Sequence, residues 1–394
     1  MAAPSAGDLL RLLRQREAMT RAELLEATGL SRSTLGPRLD RLVERRLVVA
    51  EAAPSTGGRP PSRFAFNPRA GVVLAADLGA THGRLAVADL AGTMLAAESV
   101  GIAIADGPDS VLERVLATFD ELLARSGHRR TEVWSTGIGL PGPVDVERGR
   151  AVRPPIMPGW DDFDVRGWFA EHIPGPVFVD NDVNVIALGE YWHSWRSEVA
   201  DLLHVKVATG IGAGLIADGG VFRGARGAAG DIGHIRVESP RVVVCDCGNE
   251  NCLEAVASGR ALARDLREAG YDTTSTLDVV DLVAAGNPEA VHAVRTAGRR
   301  LGEALAAAVN LLNPEVIVVS GDLVGAHDHL LAGVREVVYQ RSTALATQSL
   351  RIVEGRLADE AGIHGCIVLA LEALLATEVI DDLVEGTVTT DAIA

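Results

Sequence analysis

The stretch GVVLAADLGATHGRLAVADLAG at residues 71–92 has the same organisation as DLLHVKVATGIGAGLIADGG at residues 201–220. Each stretch contains a β-rich run, a glycine-containing turn and a second β-rich run, and the two begin 130 positions apart. This repetition predicts an internally duplicated fold with a cleft between two lobes. Glycine loops of this kind turn backbone N–H groups toward one point, which suits phosphate oxygens. Because ordinary tight hairpins use the same glycines, the loops alone do not specify a ligand.

Helical and β-rich runs alternate through the rest of the chain after residue 69. An amphipathic run at residues 111–127 precedes a β-rich run that begins at Val133. The long helical pattern of residues 290–314 leads directly into the apolar run EVIVVSG at residues 315–321. Alternation of this kind is typical of α/β proteins, in which helices pack on sheets.

Composition limits the class of protein further. The chain has 394 residues, of which 47% are apolar and 23% charged, which is the balance of a globular protein with two or three domains. No apolar run reaches 18 residues, and Asp8 with several arginines interrupts what would be the core of a signal peptide. We therefore expect a cytoplasmic protein with no membrane partner.

Charge divides the chain into a basic head and an acidic body. Residues 1–69, which we call the head, contain 12 arginines and 7 acidic residues, a local charge of +5. The body, residues 70–394, holds the remaining 25 basic and 46 acidic residues, a local charge of −21. A basic head on an acidic body indicates a module that binds a polyanion, although a solvated arginine face would give the same balance.

The head has the pattern of a winged helix-turn-helix. Leucines at helical spacing predict a first helix, and Thr20 with Glu23 forms a capping box that opens a second. Gly29 supplies a tight turn, and Ser31 can cap a third helix. In such a motif the start of the last helix meets base edges in the major groove. The candidate DNA-reading residues are Ser31, Arg32, Ser33, Thr34 and Arg38.

Two features complete the head. Pro37 lies inside the proposed reading helix, so the helix either kinks there or begins its regular part there. Residues 47–68 contain two β-rich runs around a Gly/Pro turn, which predicts a wing whose Arg59 and Arg63 contact DNA. The alternative is a small helical interaction domain with a hairpin.

Three of the four cysteines lie within eight positions of one another, and a histidine precedes them. The candidate metal ligands are His234, Cys245, Cys247 and Cys252, with the spacing H-x10-C-x-C-x4-C. Tetrahedral zinc takes four such nitrogen and sulfur ligands, and a site closed by four ligands is structural. The alternative is a cluster of free thiols. Cys366 lies on an apolar helical stripe and is predicted to be a core residue.

Polar side chains follow a buried strand in the stretch VFVDNDVN at residues 177–184. Polar residues at the carboxyl end of a strand are well placed to line a ligand crevice. Asp182 could instead cap the helix that follows.

Together these motifs resemble the ROK family of repressors, open reading frames and sugar kinases. The resemblance is carried, in family order, by the winged helix-turn-helix, the DxGxT loop at 77–81, GIGLPGPVD at 137–145, MPGW at 157–160, DNDVN at 180–184, GxxGxxGH ending at His234, and CxCGxxxC at 245–252. It implies a duplicated two-lobed fold of the actin-like ATPase (ribonuclease H-like) type with a sugar between the lobes. The small lobe would span about residues 70–182 plus the C-terminal helix, and the large lobe about residues 183–360.

The resemblance also implies roles for individual residues. The implied sugar-binding residues are Asn181, Asp182, Asp231, His234 and Glu254. In the kinase members the aspartate equivalent to Asp182 is the general base. A structural zinc ion on one side of His234 would fix the orientation of its imidazole.

Departures from the kinase pattern predict that the chain is not an enzyme. Its two loops read DLGATHGR and ATGIGAG, so Ala80, Ala208 and Ala213 put methyl groups where glycines let backbone approach phosphate. Asp322 adds a carboxylate where it would repel ATP. Asp77, Thr81 and Asp182 are nevertheless retained.

We therefore predict a sugar-responsive transcriptional regulator, a repressor of carbohydrate genes, that binds operator DNA as a homodimer or homotetramer. Its effector would be a sugar or sugar phosphate. The first alternative is an ATP-dependent sugar kinase with a DNA-binding head, and the second is a scaffold that binds a transport protein. The acidic segment at residues 381–394 is predicted to be a frayed tail.

Overall fold

The computed structural model describes residues 3–52 and 62–386. The head consists of three helices and a three-stranded antiparallel sheet with the order β1-β3-β2. Its elements are α1 (Ala6–Gln15), β1 (Met19–Thr20), α2 (Arg21–Thr28), α3 (Arg32–Glu44), β2 (Val48–Ala52) and β3 (Ser62–Phe66). The element order is that of a helix-turn-helix followed by a β hairpin.

The caps predicted for the head are present. Thr20 and Glu23 form a reciprocal capping box at the start of α2, which ends at Gly29 with a φ of 68°. Ser31 caps α3 by accepting a hydrogen bond from the Thr34 amide. Side-chain caps satisfy amides that have no partner inside the helix, so they fix where each helix begins.

Helix α3 runs through Pro37 without interruption, so the regular part does not begin at the proline. The proline removes the bond that its own amide would donate to the carbonyl four positions earlier, and its ring crowds that carbonyl. Leu35, Leu39 and Leu42 are buried on one side of the helix. Their packing along the full length of α3 compensates for the missing bond.

The first sheet of the body has the order β10-β7-β4-β5-β6. Strands β4, β7 and β10 are parallel, whereas β5 and β6 extend the sheet as antiparallel hairpins. The elements of this lobe are β4 (Val72–Leu78), β5 (His82–Asp89), β6 (Met94–Gly101), α4 (Pro108–Ser126), β7 (Val133–Leu140), the small β8 (Val144–Asp145) and β9 (Arg150–Ala151) pair, α5 (Val165–Ala170) and β10 (Val177–Asn181).

The second sheet repeats this plan. Its order is β13-β12-β11-β14-β15, with β11, β14 and β15 parallel and β12 and β13 antiparallel. The elements are α6 (Asp182–Glu190), β11 (Leu202–Val207), β12 (Ile211–Ala217), β13 (Gly220–Val221), α7 (Leu253–Ala257), α8 (Gly259–Glu268), α9 (Thr276–Ala284), α10 (Pro288–Leu312), β14 (Val316–Ser320), α11 (His327–Arg341), α12 (Ala344–Thr347) and β15 (Arg351–Glu354). The duplicated α/β fold predicted from the two glycine loops is confirmed.

Helix α13 (Ala361–Leu374) packs against α6 and the first sheet. The helices α6 and α13 touch through their backbones: a Cβ on Gly365 would lie 1.6 Å from the Val185 carbonyl oxygen, and one on Gly189 would lie 2.0 Å from that of Ala361. Because any side chain at these positions would force the helices apart, glycine is required at both.

The last described element, α14 (Thr377–Glu385), packs on the head rather than fraying. Leu383 and Val384 are buried in the same apolar cluster as Leu9 and Leu13 of α1. The predicted frayed tail is therefore wrong for residues 381–386, because the apolar side of this helix finds its partner in the distant first helix. Residues 387–394 lie outside the described part of the chain.

Within residues 3–52 and 62–386, no single helix combines the length and apolar character needed to cross a membrane. The segments Ala358–Leu374 and Thr377–Glu385 meet those criteria only when taken together, and they are bent by 51° at the break between them.

Candidate functional site

The start of strand β12 gathers the segments that carry the predicted site residues. Gly212 faces Val183 at the start of α6, and a Cβ at 212 would lie 2.9 Å from Val183 Cγ2. Gly233 lies against the Ile211 carbonyl, and the Ala213 amide donates to the Gly230 carbonyl at 2.9 Å. The small residues of β12 thus let α6 and the 230–234 segment approach from two sides.

Asn181 and Asp182 lie where β10 ends and α6 begins. The Asn181 side chain caps α6 by accepting from the Val183 amide at 2.9 Å, and its Nδ2 donates to the Gly142 carbonyl at 2.7 Å. The cap of this helix is therefore Asn181, and Asp182 occupies the first helical position. The Asp182 side chain is 11% exposed, and its Oδ1 accepts a 2.9 Å hydrogen bond from the Val183 amide.

A lysine that the sequence reasoning missed holds Asp182. Nζ of Lys206 lies 2.8 Å from Oδ2 of Asp182. Burial alone lowers the pKa of Lys206, but the charge and hydrogen bond of Asp182 outweigh it, so the pKa lies above its usual value. The sequence does contain a signal for this pair, because a lysine within an apolar strand almost always has an anionic partner.

Asp77 contributes a third charged group at the end of β4. Burial raises the pKa of Asp77 to about 6, against the opposing effect of Lys206 and with a further rise from Asp182. A Cβ on Gly362 would lie 1.9 Å from Oδ2 of Asp77, so α13 begins directly against this carboxylate.

The remaining predicted sugar contacts lie around the 230–234 segment and α7. Oδ1 of Asp231 lies 4.0 Å from Nε2 of His234. Oε2 of Glu254 accepts a hydrogen bond from the Ile211 amide at 3.1 Å, which ties α7 to the second glycine loop. Arg260, another residue not foreseen, lies 3.6 Å from Glu254.

The four predicted metal ligands are together. One ligand atom each from His234, Cys245, Cys247 and Cys252 lies within 4.8 Å of the others. Nδ1 of His234 is 3.7 Å from Cys245 Sγ, and the sulfurs of Cys247 and Cys252 are 3.6 Å apart. Three sulfurs and one imidazole nitrogen at this spacing fit a four-coordinate metal ion. His234 therefore presents Nδ1 to the cluster and Nε2 to Asp231.

Cys366 was predicted to be a core residue, and this is confirmed. It is fully buried, and its thiol donates to the Ala76 carbonyl at 3.2 Å.

The start of α3 presents most of the predicted DNA-reading residues together. Ser31, Arg32 and Ser33 are exposed, and Thr34 is half-buried. The Ser31 hydroxyl lies 2.8 Å from the hydroxyls of both Ser33 and Thr34. These contacts between hydroxyl groups order the first turn of α3, and Arg32 in the same turn is exposed.

Two of the predicted DNA-contacting residues also form hydrogen bonds inside the head. The half-buried Arg38 donates to the Pro4 carbonyl, and the half-buried Arg63 donates to the Ala18 carbonyl. Each of these bonds uses one of the five N–H donors of a guanidinium, so the remaining donors of Arg38 and Arg63 are still available for DNA. Arg59, at the predicted tip of the wing, lies outside the described residues.

The structure also shows where the residues that depart from the kinase pattern lie. Ala80 is exposed beside the first turn, whereas Ala208 and Ala213 are buried along the second. Gly321, with a φ of 101°, lies so close to β11 that a Cβ would be 2.5 Å from the Val207 carbonyl oxygen. Asp322 follows at the same edge of the second sheet and is exposed.

These features define a class: a two-lobed α/β body of the actin-like type, with carboxylates and a lysine in its cleft, a Cys3His cluster beside it, and a small helical head. The family model described as ROK family matches residues 73–373. The chain belongs to the ROK family.

Relatives in this family divide by how much of the chain they match. The xylose repressor of Caldicellulosiruptor bescii is 27% identical over 382 residues, covering 93% of this chain and 95% of the relative. The solved structure of a ROK family transcriptional regulator, a homologue of the E. coli MLC protein, is similar with a TM-score of 0.82 and 27% identity, covering 97% of this chain and 98% of that one. The ROK hexokinase from Thermus thermophilus is 33% identical with a TM-score of 0.64, but covers only 76% of this chain and 97% of its own. The regulators thus share the head as well as the body.

Proposed function

We propose that this protein is a sugar-responsive, DNA-binding transcriptional regulator, and a repressor of carbohydrate genes. The observation that carries the proposal is the direct packing of α14 on the head. Helix α14 follows α13, and α13 begins against Asp77 in the cleft. The regulators similar to it over nearly their whole length, among them one named a xylose repressor, support the same function.

The head supplies the DNA-binding surface. Ser31, Arg32 and Ser33 lie at the exposed start of α3, the position that enters the major groove in helix-turn-helix proteins. Arg41, Arg45 and Arg46 are exposed further along and suit phosphate contacts. We infer a homodimer or homotetramer, because two heads must meet two half-sites about one helical turn apart.

The cleft binds the sugar effector. Asn181, Asp182, Asp231, His234 and Glu254 are the proposed sugar contacts. Carboxylates accept hydrogen bonds from sugar hydroxyls, and Nε2 of His234 can donate one when Nδ1 is engaged elsewhere. Zinc, held by His234 and the three cysteines, would lock that tautomer and keep Nε2–H directed to the cleft. The metal is thus structural in this proposal.

Helix α13 connects the cleft to the head. Its first turn lies against Asp77, and its 14 residues span about 21 Å. Near its far end Glu372 forms a 3.2 Å ion pair with Arg14 of α1. A sugar that binds one arrangement of the lobes better than the other shifts this helix, and with it the head. A sugar that bound both arrangements equally would have no effect.

The same cleft does not suit a magnesium nucleotide. Asp182, which would have to act as a general base, is paired with Lys206 at 2.8 Å. Ala80 and Ala208 occupy the loops that would approach phosphate, and Asp322 adds negative charge at the rim. We therefore propose that the chain is a receptor and not a sugar kinase.

The experiment is a gel-shift titration on DNA from upstream of the protein's own gene and its neighbours, with and without xylose and a panel of other pentoses, hexoses and amino sugars. We expect a specific complex whose stability changes with one sugar. A coupled ADP-release assay runs beside it. Absence of any specific complex, together with sugar-dependent ADP release that Asp182→Asn abolishes, would favour the kinase alternative.

A further inference from the structure

Lys206 is the only lysine in a chain that contains 37 lysines and arginines in total. The chain therefore uses arginine at every other basic position, and keeps lysine only in the cleft. The two cations differ in shape: the ammonium is a compact point charge, whereas guanidinium is a broad planar group. At this one position, beside Asp182, the chain has the compact cation and not the planar one.

The strand registers place Lys206 in one lobe at the position equivalent to Asp77 in the other, so the two equivalent residues carry opposite charges. In the first sheet Asp77 pairs with Arg84, one step before the turn that joins β4 and β5. In the second sheet Lys206 pairs with Gly212, one step before the turn that joins β11 and β12. The duplicated fold thus puts an aspartate and a lysine at equivalent positions.

Three carboxylates from three different elements act on this lysine. Asp182 contacts it directly at 2.8 Å from the start of α6. The negative charges of Asp77 on β4 and of Asp322 after β14 also raise the pKa of Lys206. Ser320 of β14, two residues before Asp322, lies beside Lys206 in the parallel ladder. The other titratable neighbour, His204, is buried on the same strand.

Carboxylates converging from several elements are the ligand type that Mg²⁺ and Mn²⁺ prefer. In this cleft an ammonium already supplies the positive charge, and it stands within hydrogen-bond distance of Asp182. A divalent ion in the same space would be repelled by Lys206 and would have to displace it from Asp182.

We propose that Lys206 is a built-in counter-ion that takes the place of a divalent metal ion among Asp77, Asp182 and Asp322, and so reserves the cleft for a metal-free ligand such as an uncharged sugar. Lys206 is in this view a positioning residue, which holds the ionised Asp182 carboxylate ready to accept from sugar hydroxyls. The inference deepens the proposed receptor function, but its test needs neither DNA nor sugar, so failure of one leaves the other standing.

The test is a titration with Mn²⁺ alone, followed by electron paramagnetic resonance, on the zinc-loaded full chain. We expect Lys206→Met to bind Mn²⁺ at least tenfold more tightly than the wild type. Lys206→Arg, which keeps a cation, should show no such gain, and Asp322→Asn in the Lys206→Met background should reverse it. Thermal unfolding of each variant confirms that it is folded. Equal Mn²⁺ affinity in the wild type and the folded Lys206→Met chain would overturn the proposal.

A second measurement avoids the variants at 206. Because the chain has one lysine, ¹³C-lysine labelling gives a single side-chain NMR signal for Lys206. As the pH is raised past 10.5, the ordinary lysine pKa, we expect this signal to keep the chemical shift of a charged lysine. Asp182→Asn should lower the pH of the titration midpoint. A wild-type lysine that titrates at its ordinary pKa, unchanged by Asp182→Asn, would contradict the counter-ion role.

Discussion

The amide of Gly7 donates a 2.8 Å hydrogen bond to the carboxylate of Asp381, 374 positions away in the sequence. The first helix of the head and the last described helix of the body are therefore hydrogen-bonded to each other. A Cβ on Gly7 would lie 2.2 Å from the carbonyl oxygen of Thr377, so only glycine permits this approach.

Gly7→Ala should separate α1 from α14. The clash is with backbone, which cannot move aside cheaply, so we expect a loss of about 1–3 kcal/mol in the free energy of unfolding. We also expect the operator complex to lose its response to sugar, because the path from α13 to the head is broken. The measurement is urea unfolding, combined with operator titrations with and without the effector.

Gly36→Ala is the matched control for stability. Gly36 also lies in a helix of the head, but a Cβ there meets only Arg21 Nη1, at 3.7 Å. Alanine is favoured over glycine inside helices, so this variant should unfold at the same urea concentration or a higher one. Equal stability of the Gly7→Ala chain and the wild type would show that the contact does not hold the head.

Cys247→Ser should remove the metal. The freshly purified wild-type chain is expected to carry about one zinc per chain, because the four ligand atoms lie within 4.8 Å of one another. The variant should carry almost none, and should lose the sugar response while its head still binds DNA. Elemental analysis measures the zinc. Cys366→Ala, which changes a cysteine far from the cluster, should keep it, and a zinc-free wild type would remove the basis for the site.

His204 predicts a pH dependence of stability. Burial, with a smaller contribution from Lys206, lowers the pKa of His204 from 6.5 to about 3, and within the described residues neither ring nitrogen has a hydrogen-bond partner. Below pH 6.5 the unfolded chain binds a proton that the folded chain does not. The free energy of unfolding therefore falls as pH decreases from about 6.5 toward 3.

Between pH 7.5 and pH 5.0 this one group should account for a loss of about 2 kcal/mol. His204→Leu removes the titrating ring, so its stability should fall by correspondingly less over the same interval. Urea unfolding of both chains at the two pH values gives the comparison. Parallel losses in the two chains would mean that His204 is protonated in the folded state.

Arg32→Ala should weaken operator binding. Arg32 is exposed in the first turn of α3, where a side chain reaches base edges, and such a contact contributes about 1–3 kcal/mol. Fluorescence anisotropy on labelled operator DNA measures the affinity at fixed salt. Arg129→Ala removes an arginine that is 83% exposed on the body and should change little. If both variants bound equally well, α3 would not be the reading helix.

Local chemistry made much of the fold predictable. The capping box of Thr20 and Glu23 and the two glycine turns act over a few residues, so the sequence shows them directly. The Cys3His spacing was equally readable, because metal ligands require particular residue types at short separations.

What the sequence did not reveal depends on contacts between distant elements. Helix α14 packs on α1, which is distant from it in the sequence, and no local pattern in residues 377–385 predicts that α1 is its partner. The sequence shows the charges of Arg38 and Arg63, but it does not show their hydrogen bonds to the carbonyls of Pro4 and Ala18, which depend on the tertiary structure. The pairing of Lys206 with Asp182 likewise depends on the packing of α6 beside β11.

We propose that a sugar in the cleft changes the affinity of the head for DNA. The most direct test measures both affinities on the wild-type chain: operator binding with and without the effector sugar, and sugar binding with and without operator. Linkage requires the two ratios to be equal, and we expect a factor of about ten or more, which Asp182→Asn should abolish. A sugar that binds the cleft but leaves operator affinity unchanged would contradict the account.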